Sequence, residues 1–324
     1  MTYNGEKLGA FIVPTGIGAS IGGYAGDASV YARKLSQISK LIVNPNVVNA
    51  GCFSGITSNM LYTEGYTLDS FFKGEVNLIP SRNNKIGIVY DKAIPQDVLN
   101  VHINTQNAVK TVYGVNIHGY EITEEDAGVE FYVTEEGIST GTVNNISAIE
   151  NSCEKLLNNG CDAIAIVCLF KDDNDNETYA NGLGVDPVGG VEAIISHDIS
   201  KKFKVPCAHS PAFIDYQIYP DLINPKSASE YITPTFLPCI LLGLSQAPKI
   251  TTDINKGISI NDLDFLAMPY NALGSTPVYE AQKRGIKTLA IHENKTELDI
   301  RKENLFKNSC IIPVETYEQA MSII

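Results

Sequence analysis

Cys168 stands near the end of the apolar run DAIAIVCLF (162–170), with the polar stretch KDDNDNE behind it. Catalytic groups of parallel α/β sheets come from strand ends that face the loops, so a thiol here reads either as a buried core residue or as an acid/base group. Cys52, in NAGCFSG just past another strand, is the second thiol so placed. Two thiols on opposite sides of a carbon acid could take a proton from one face and return it to the other, once neighbouring N–H groups lower their pKa values. His209 and Ser210 end the run KVPCAHS, and strand alternation puts Cys207 and His209 on one face. That pair offers two metal ligands or a thiol beside a base, and His209 with Ser210 at the mouth of a sheet fits acid/base work or substrate contact better than metal. Glu192 and His197 are five apart in one helical stretch, on different faces, which makes a poor metal pair. The five histidines and seven cysteines never gather into a spaced four-ligand set, so no bound metal is expected.

Three glycine- or serine-rich loops supply the other chemistry. Each follows an apolar strand and opens a helical stretch: TGIGASIGG (15–23) after AFIVP, NGLGVDPVGG (181–190) after DAIAIVCLF, and YNALGSTP (270–277) after DFLAMP. A helix N-terminus presents unpaired N–H groups and a positive dipole end, so each loop is a candidate cradle for a carboxylate or phosphate. The expected substrate contacts are Gly16, Gly18, Ser20, Gly22 and Gly23 in the first loop, Gly184, Asp186, Gly189 and Gly190 in the second, and Gly274, Ser275 and Thr276 in the third. Asn46, at the end of the second strand, and Ser210 join them. Turn glycines, N-capping by Ser275 or Thr276, and capping of the first helix by Asp27 are the plain alternatives. The glycine spacing of the first loop resembles a dinucleotide-binding turn, but the following strand ends in Asn44, Pro45 and Asn46 where an acidic ribose ligand belongs. No cofactor is expected.

Strand, loop, helix and strand alternate three times, which predicts an α/β fold of mostly parallel sheets covered by helices, in two lobes. The first lobe is expected over residues 1–82 and completed by 261–324, the second over 83–214. Residues 215–260, with five prolines, read as an irregular connector carrying one buried helix, LPCILLGL. Within the second lobe, IGIVY reads as a buried strand, SAIENSCEKLLNNG as a helix closed by Gly160, and the acidic stretch 123–142 as a hairpin or a mobile segment at a surface.

At 324 residues the chain is longer than one core usually grows. A net charge of -13 with only 24 Lys and Arg disfavours nucleic acid and anionic membrane surfaces as partners. The scattered cysteines form no C-x-x-C pair and suit a reducing compartment. No apolar run reaches the roughly 18 residues of a membrane span. A cytoplasmic protein is expected, its partner a small anionic metabolite, with a homo-oligomer left open.

The stretches VPTGIGASIGGYAGDA, NPNVVNAG, YTEGYTLDSFF, DPVGGVEAIISHDIS, VPCAHSPAF and FLPCILLGLS together resemble an uncharacterised conserved-protein family, a domain of unknown function, of cyanobacteria, plants and scattered bacteria. The resemblance runs over nearly the whole chain and implies no activity. Residues 85–170, with KIGIVYD, a strand with H-x-x-E-I and a helix leading to GCDAIAIVCLF, are similar in layout to a lobe of the aspartate/glutamate racemase superfamily, which includes maleate isomerase and arylmalonate decarboxylase. That similarity implies a catalytic cysteine at Cys168, although Leu169 and Phe170 replace the small hydroxyl residue expected after it, and the second lobe's G-C-T-H motif is missing.

These readings lead to a metabolic enzyme that binds a small carboxylate- or phosphate-bearing substrate. It would do proton-transfer chemistry, as an isomerase, racemase or lyase, with Cys168, Cys52 and His209 as acid/base groups. A nucleotide-cofactor oxidoreductase or transferase built on Gly16–Gly23, and a non-catalytic protein that binds an anionic metabolite, are the alternatives.

Overall fold

The apolar strand Leu8–Phe11 is wholly buried and lies between Lys40–Val43 and Phe265–Pro269, parallel to both. These three belong to a six-stranded sheet ordered Ile311–Val314, Lys287–Ile291, Phe265–Pro269, Leu8–Phe11, Lys40–Val43, Met60–Tyr62. Every neighbouring pair in it is parallel. The N-terminal segment winds outward in one direction from Leu8–Phe11, and the C-terminal segment winds outward in the other, starting from its opposite side. The connections therefore diverge between Leu8–Phe11 and Phe265–Pro269, which opens a crevice at the carboxyl ends of those strands. The computed structural model describes residues 6–24, 26–171, 177–218, 221–305 and 310–324.

Between the two halves of that sheet the chain builds a second parallel sheet, ordered Cys207–Phe213, Ala163–Phe170, Ile86–Tyr90, Ile117–Ile122. Its own divergence point, between Ile86–Tyr90 and Ala163–Phe170, is closed by Asp91. This buried carboxylate accepts from the backbone N–H groups of Ala93, Ala127 and Leu169. The fold is thus α/β with parallel sheets and helices, as the alternating pattern predicts. The expected hairpin is Val129–Val133 paired antiparallel with Ser139–Val143, and the expected helix runs Ile146–Asn158 before Gly160 at φ +93°.

The helix Leu237–Ser245 joins the sheets. It is apolar almost all round, the pattern of a helix with no solvent face. It packs on Gln96–Tyr113, Ala163–Phe170 and Cys207–Phe213 on one side and on the short ladder Asn49–Ala50 with Phe53–Ser54 on the other. Gly243 permits this approach, because a Cβ there would lie 2.7 Å from the Tyr62 ring. One apolar core consequently runs from Val43 and Tyr62 through Leu237, Leu241 and Leu244 to Ile88 and Ala165. A short antiparallel pair, Asn77–Ile79 with Lys249–Thr251, adds backbone bonds between the outgoing and returning chain.

Candidate functional site

The carboxyl ends of both sheets open onto one cavity of about 530 Å³, a size suited to a small ligand. From the first sheet come Ile12, Pro14 and Thr15 after the first strand, Asn44 and Asn46 after the second, and Ser275 and Pro277 after Phe265–Pro269. From the second sheet come His209, Pro211 and Phe213, which alternate along one face of the edge strand Cys207–Phe213. Residues of all three glycine-rich loops line it: Gly23 from the first, Asp186 and Gly189 from the second, Ser275 from the third.

Backbone donors of the first two loops are engaged within the chain. In the first, the N–H groups of Ser20, Ile21 and Gly22 are taken by the Lys295 carbonyl at 2.7 Å, Asn294 Oδ1 at 3.1 Å and Asp27 Oδ1 at 2.6 Å. Ser20 is a bridge, its Oγ donating to the Glu293 carbonyl and accepting from the Lys295 N–H. In the second, Asp186 Oδ1 accepts from the Val188 N–H at 3.0 Å, ahead of the helix Gly189–Phe203. At the third, Asp69 lies beside Thr276 where the helix Thr276–Lys283 starts. A carboxylate of the chain itself thus takes a backbone donor in the first two loops, at Gly22 and at Val188.

Several expected contacts are framework. Gly16, at φ +73°, and Gly190 meet the hairpin, whose Ser139 N–H donates to the Gly16 carbonyl and whose Ser139 Oγ accepts from the Gly190 N–H. A Cβ on Gly190 would fall 2.0 Å from the Ser139 carbonyl oxygen. The Gly184 carbonyl accepts from the Tyr24 hydroxyl. Gly18, Gly22, Gly274 and Thr276 shape their turns without lining the cavity, and Ser210 is wholly buried away from it. Asn44 bonds the Val13 backbone through both Oδ1 and Nδ2, so the strand end that would face a ribose is engaged.

The thiols need correction. Cys168 is wholly buried in a core cluster with Cys153, Ile195 and Phe170 and does not line the cavity. Burial, with Asp91 next in weight, pushes its thiol well above the usual range, so it stays protonated. Its side chain alternates to the face of Ala163–Phe170 that packs under helices, which its place near the strand end does not reveal. Cys52 is partly exposed and also off the cavity wall. The thiol that does line the cavity is Cys239, held up at about 12 by burial.

His209 is where it was expected, and its partner is Glu192. Nδ1 lies 3.0 Å from Glu192 Oε1, and the ring stacks on Phe170 at 5.3 Å. Burial raises Glu192 from 4.5 to about 8 and lowers His209 from 6.5 to about 3. Although their separation would suit an ion pair, burial makes this a neutral imidazole hydrogen-bonded to a carboxylic acid at neutral pH. His209 Nε2 has no partner.

Among the described residues, four buried side-chain polar atoms lack a hydrogen-bond partner, and three belong to cavity residues: Asn49 Oδ1, Tyr179 Oη and His209 Nε2. Tyr179 stacks on Tyr24 at 5.0 Å and lies beside Glu230 without meeting hydrogen-bond geometry. Six carboxyl residues line the wall, Glu64, Asp69, Asp186, Glu192, Asp215 and Glu230, and no lysine or arginine does among the described residues. Glu64 is already spent as the N-cap of Gly65–Lys73, accepting from the Tyr66 and Thr67 N–H groups. Burial raises Asp186 to about 7, with Glu192 adding to it, and raises Glu230 strongly, with Asp186 next. Asp186, Glu192 and Glu230 are only partly covered. All three line the cavity.

A family model described as "Protein of unknown function (DUF3326)" matches residues 9–324, the whole of this site included. The chain belongs to this family. An uncharacterized lipoprotein of Synechococcus sp. is 38% identical over 301 residues, covering 91% of this chain and 84% of that protein. No solved structure matches. None of the described helices is long and apolar enough to cross a membrane.

Proposed function

We propose that this DUF3326 chain is an enzyme that moves a proton on a small substrate enclosed between its two sheets, as an isomerase, racemase or lyase does. His209 is the acid/base group, and Glu192 is the positioning residue that fixes its tautomer. The observation that carries this reading is the buried, unpartnered Nε2 of His209 on the cavity wall, with Nδ1 held by Glu192 at 3.0 Å. Buried polar atoms are nearly always bonded, and a base set by a second group is the recurrent arrangement of general acid/base sites. With Nε2 as a hydrogen-bond acceptor the ring takes a proton from a substrate carbon and returns it. With the tautomer reversed it protonates a leaving oxygen or nitrogen.

The wall of carboxyls supports a neutral or cationic substrate over a carboxylate- or phosphate-bearing one. The engaged amides at Ser20–Gly22 weigh against a nucleotide cofactor on the first loop. The free state of all seven cysteines supports the cytoplasm as the location. To test the activity, the protein is incubated in D2O with pooled small carbon acids and the recovered compounds are weighed by mass spectrometry. Deuterium should enter at least one compound, and His209→Gln should abolish it. Exchange that survives in His209→Gln would overturn the assignment.

A further inference from the structure

The cavity wall carries an electrostatic problem that protons alone solve in the empty protein. Glu192 raises the proton affinity of Asp186, both raise that of Glu230, and Asp27 adds to it. None of them has a lysine or arginine partner among the ion pairs of the described residues. Lys226, whose charge acts on Asp27, is not itself a lining residue; its Nζ donates to the Ser20 carbonyl and lies over the Tyr24 ring. Beside Glu230 stands the Tyr179 hydroxyl, buried, on the cavity wall and without a hydrogen-bond partner. Tyr179 and Tyr24 together give the same corner stacked aromatic surface.

The groups facing this corner come from five places: Tyr24 from the first loop, Tyr179 from the short helix Glu177–Ala180, Asp186 from the second loop, Glu192 and His209 from the dyad, and Glu230 with Tyr231 from the connector. Carboxyls, an unpartnered hydroxyl and the Tyr179 ring, with no lysine or arginine lining the cavity among the described residues, are the complement of an ammonium group, which carries N–H donors for the oxygens and a charge for the ring. No group of three or more ligating side chains is arranged for a metal ion among the described residues.

We propose that the substrate bears a protonated amine, held by Asp186 and Glu230 beside the Tyr179 hydroxyl. This rests on the cavity being the substrate site, but not on His209 acting as the base. Amine binding draws Asp186 and Glu230 into their charged forms, so it releases protons and tightens as pH rises toward about 7, where Asp186 gives up its proton.

The test uses three probes of matched length on the full chain: butane-1,4-diamine, butane-1,4-diol and succinate, at millimolar concentration, read by thermal shift and calorimetry. The diamine should raise Tm and release protons on binding, and the diol and succinate should do neither. Binding should weaken about 30-fold in Glu230→Gln and in Asp186→Asn, the low end for loss of one partner of a buried charge pair, and persist in His209→Gln. Stabilisation by succinate or the diol instead of the diamine overturns the proposal, as does unchanged diamine affinity in both carboxamide variants. Diamine binding without any deuterium exchange in the carbon-acid assay would leave the amine site standing and sink only the acid/base reading.

Discussion

Replacing Glu192 by glutamine isolates the charge that burial suppresses. The amide still reaches Nδ1 of His209, so the geometry of the pair survives while the titration disappears. Glu192 is raised by burial from 4.5 to about 8, so between those values the folded protein keeps a proton that the unfolded chain has lost. Stability from this group is therefore fully present below pH 4.5, falls as pH rises, and has been lost by pH 8 and above. His209 has the opposite sign. Its pKa is lowered from 6.5 to about 3, so its contribution is lost only as pH falls below 6.5. The window from pH 6.5 to 8 thus reports the carboxyls alone. Across it Glu192 accounts for about 1.5 kcal/mol, from roughly 1.4 kcal/mol per pH unit while the folded group stays protonated. Asp186 and Glu64, at about 7, add to the slope with the same sign. Urea unfolding at both ends of the window should show the wild type losing about 1.5 kcal/mol more than Glu192→Gln. Equal losses, or a wild type that gains stability on going to pH 8, would refute the buried neutral pair.

Three further outcomes follow from the packing. Cys168 should react with iodoacetamide only after denaturation, and Cys168→Ser should destabilise the fold by about 1–3 kcal/mol through a buried hydroxyl; native-state labelling measured by peptide mass spectrometry would contradict its placement. Gly190→Ala should cost about 3 kcal/mol or more in urea unfolding, because a Cβ would meet the Ser139 carbonyl at 2.0 Å, and a neutral variant would deny the hairpin its place between the loops. Asn294→Ala should cost about 2–3 kcal/mol and speed amide exchange at Ile21. That side chain bonds both Ile21 backbone groups and the Tyr317 hydroxyl, so unchanged exchange would mean the first loop holds itself.

Much of the fold is legible in the chain because period and punctuation act locally. AFIVP, KLIVNPN and DFLAMP are short apolar runs bounded by Gly, Pro and Asn, and they became adjacent parallel strands with loops at their carboxyl ends. His209 is legible for the same reason, since alternation on an edge strand puts it at the sheet mouth. Cys168 misleads because position along a strand says how near the loops a residue lies, while the face it takes depends on which helix covers it. The glycines mislead because a glycine that admits an anion and one that admits a neighbouring backbone look alike in sequence; Ser139, far away in the hairpin, decides the matter at Gly190. Glu230, Tyr179 and Asn49 carry no periodic signal at all. They reach the cavity from elements of only two to four residues, Asn49–Ala50, Glu177–Ala180 and Ala228–Tyr231, too short to show a period, and a buried unpartnered atom is visible only once the chain is folded.

The central claim is a neutral imidazole at position 209, fixed at Nδ1 and open at Nε2, and long-range nitrogen–proton NMR of the histidine rings measures it directly. The account predicts a single neutral tautomer for His209 that does not titrate between pH 5 and 8, and an Nε2 shift that moves when a ligand enters the cavity. A ring that titrates near 6.5, or an Nε2 signal indifferent to every ligand that binds the protein, would contradict it.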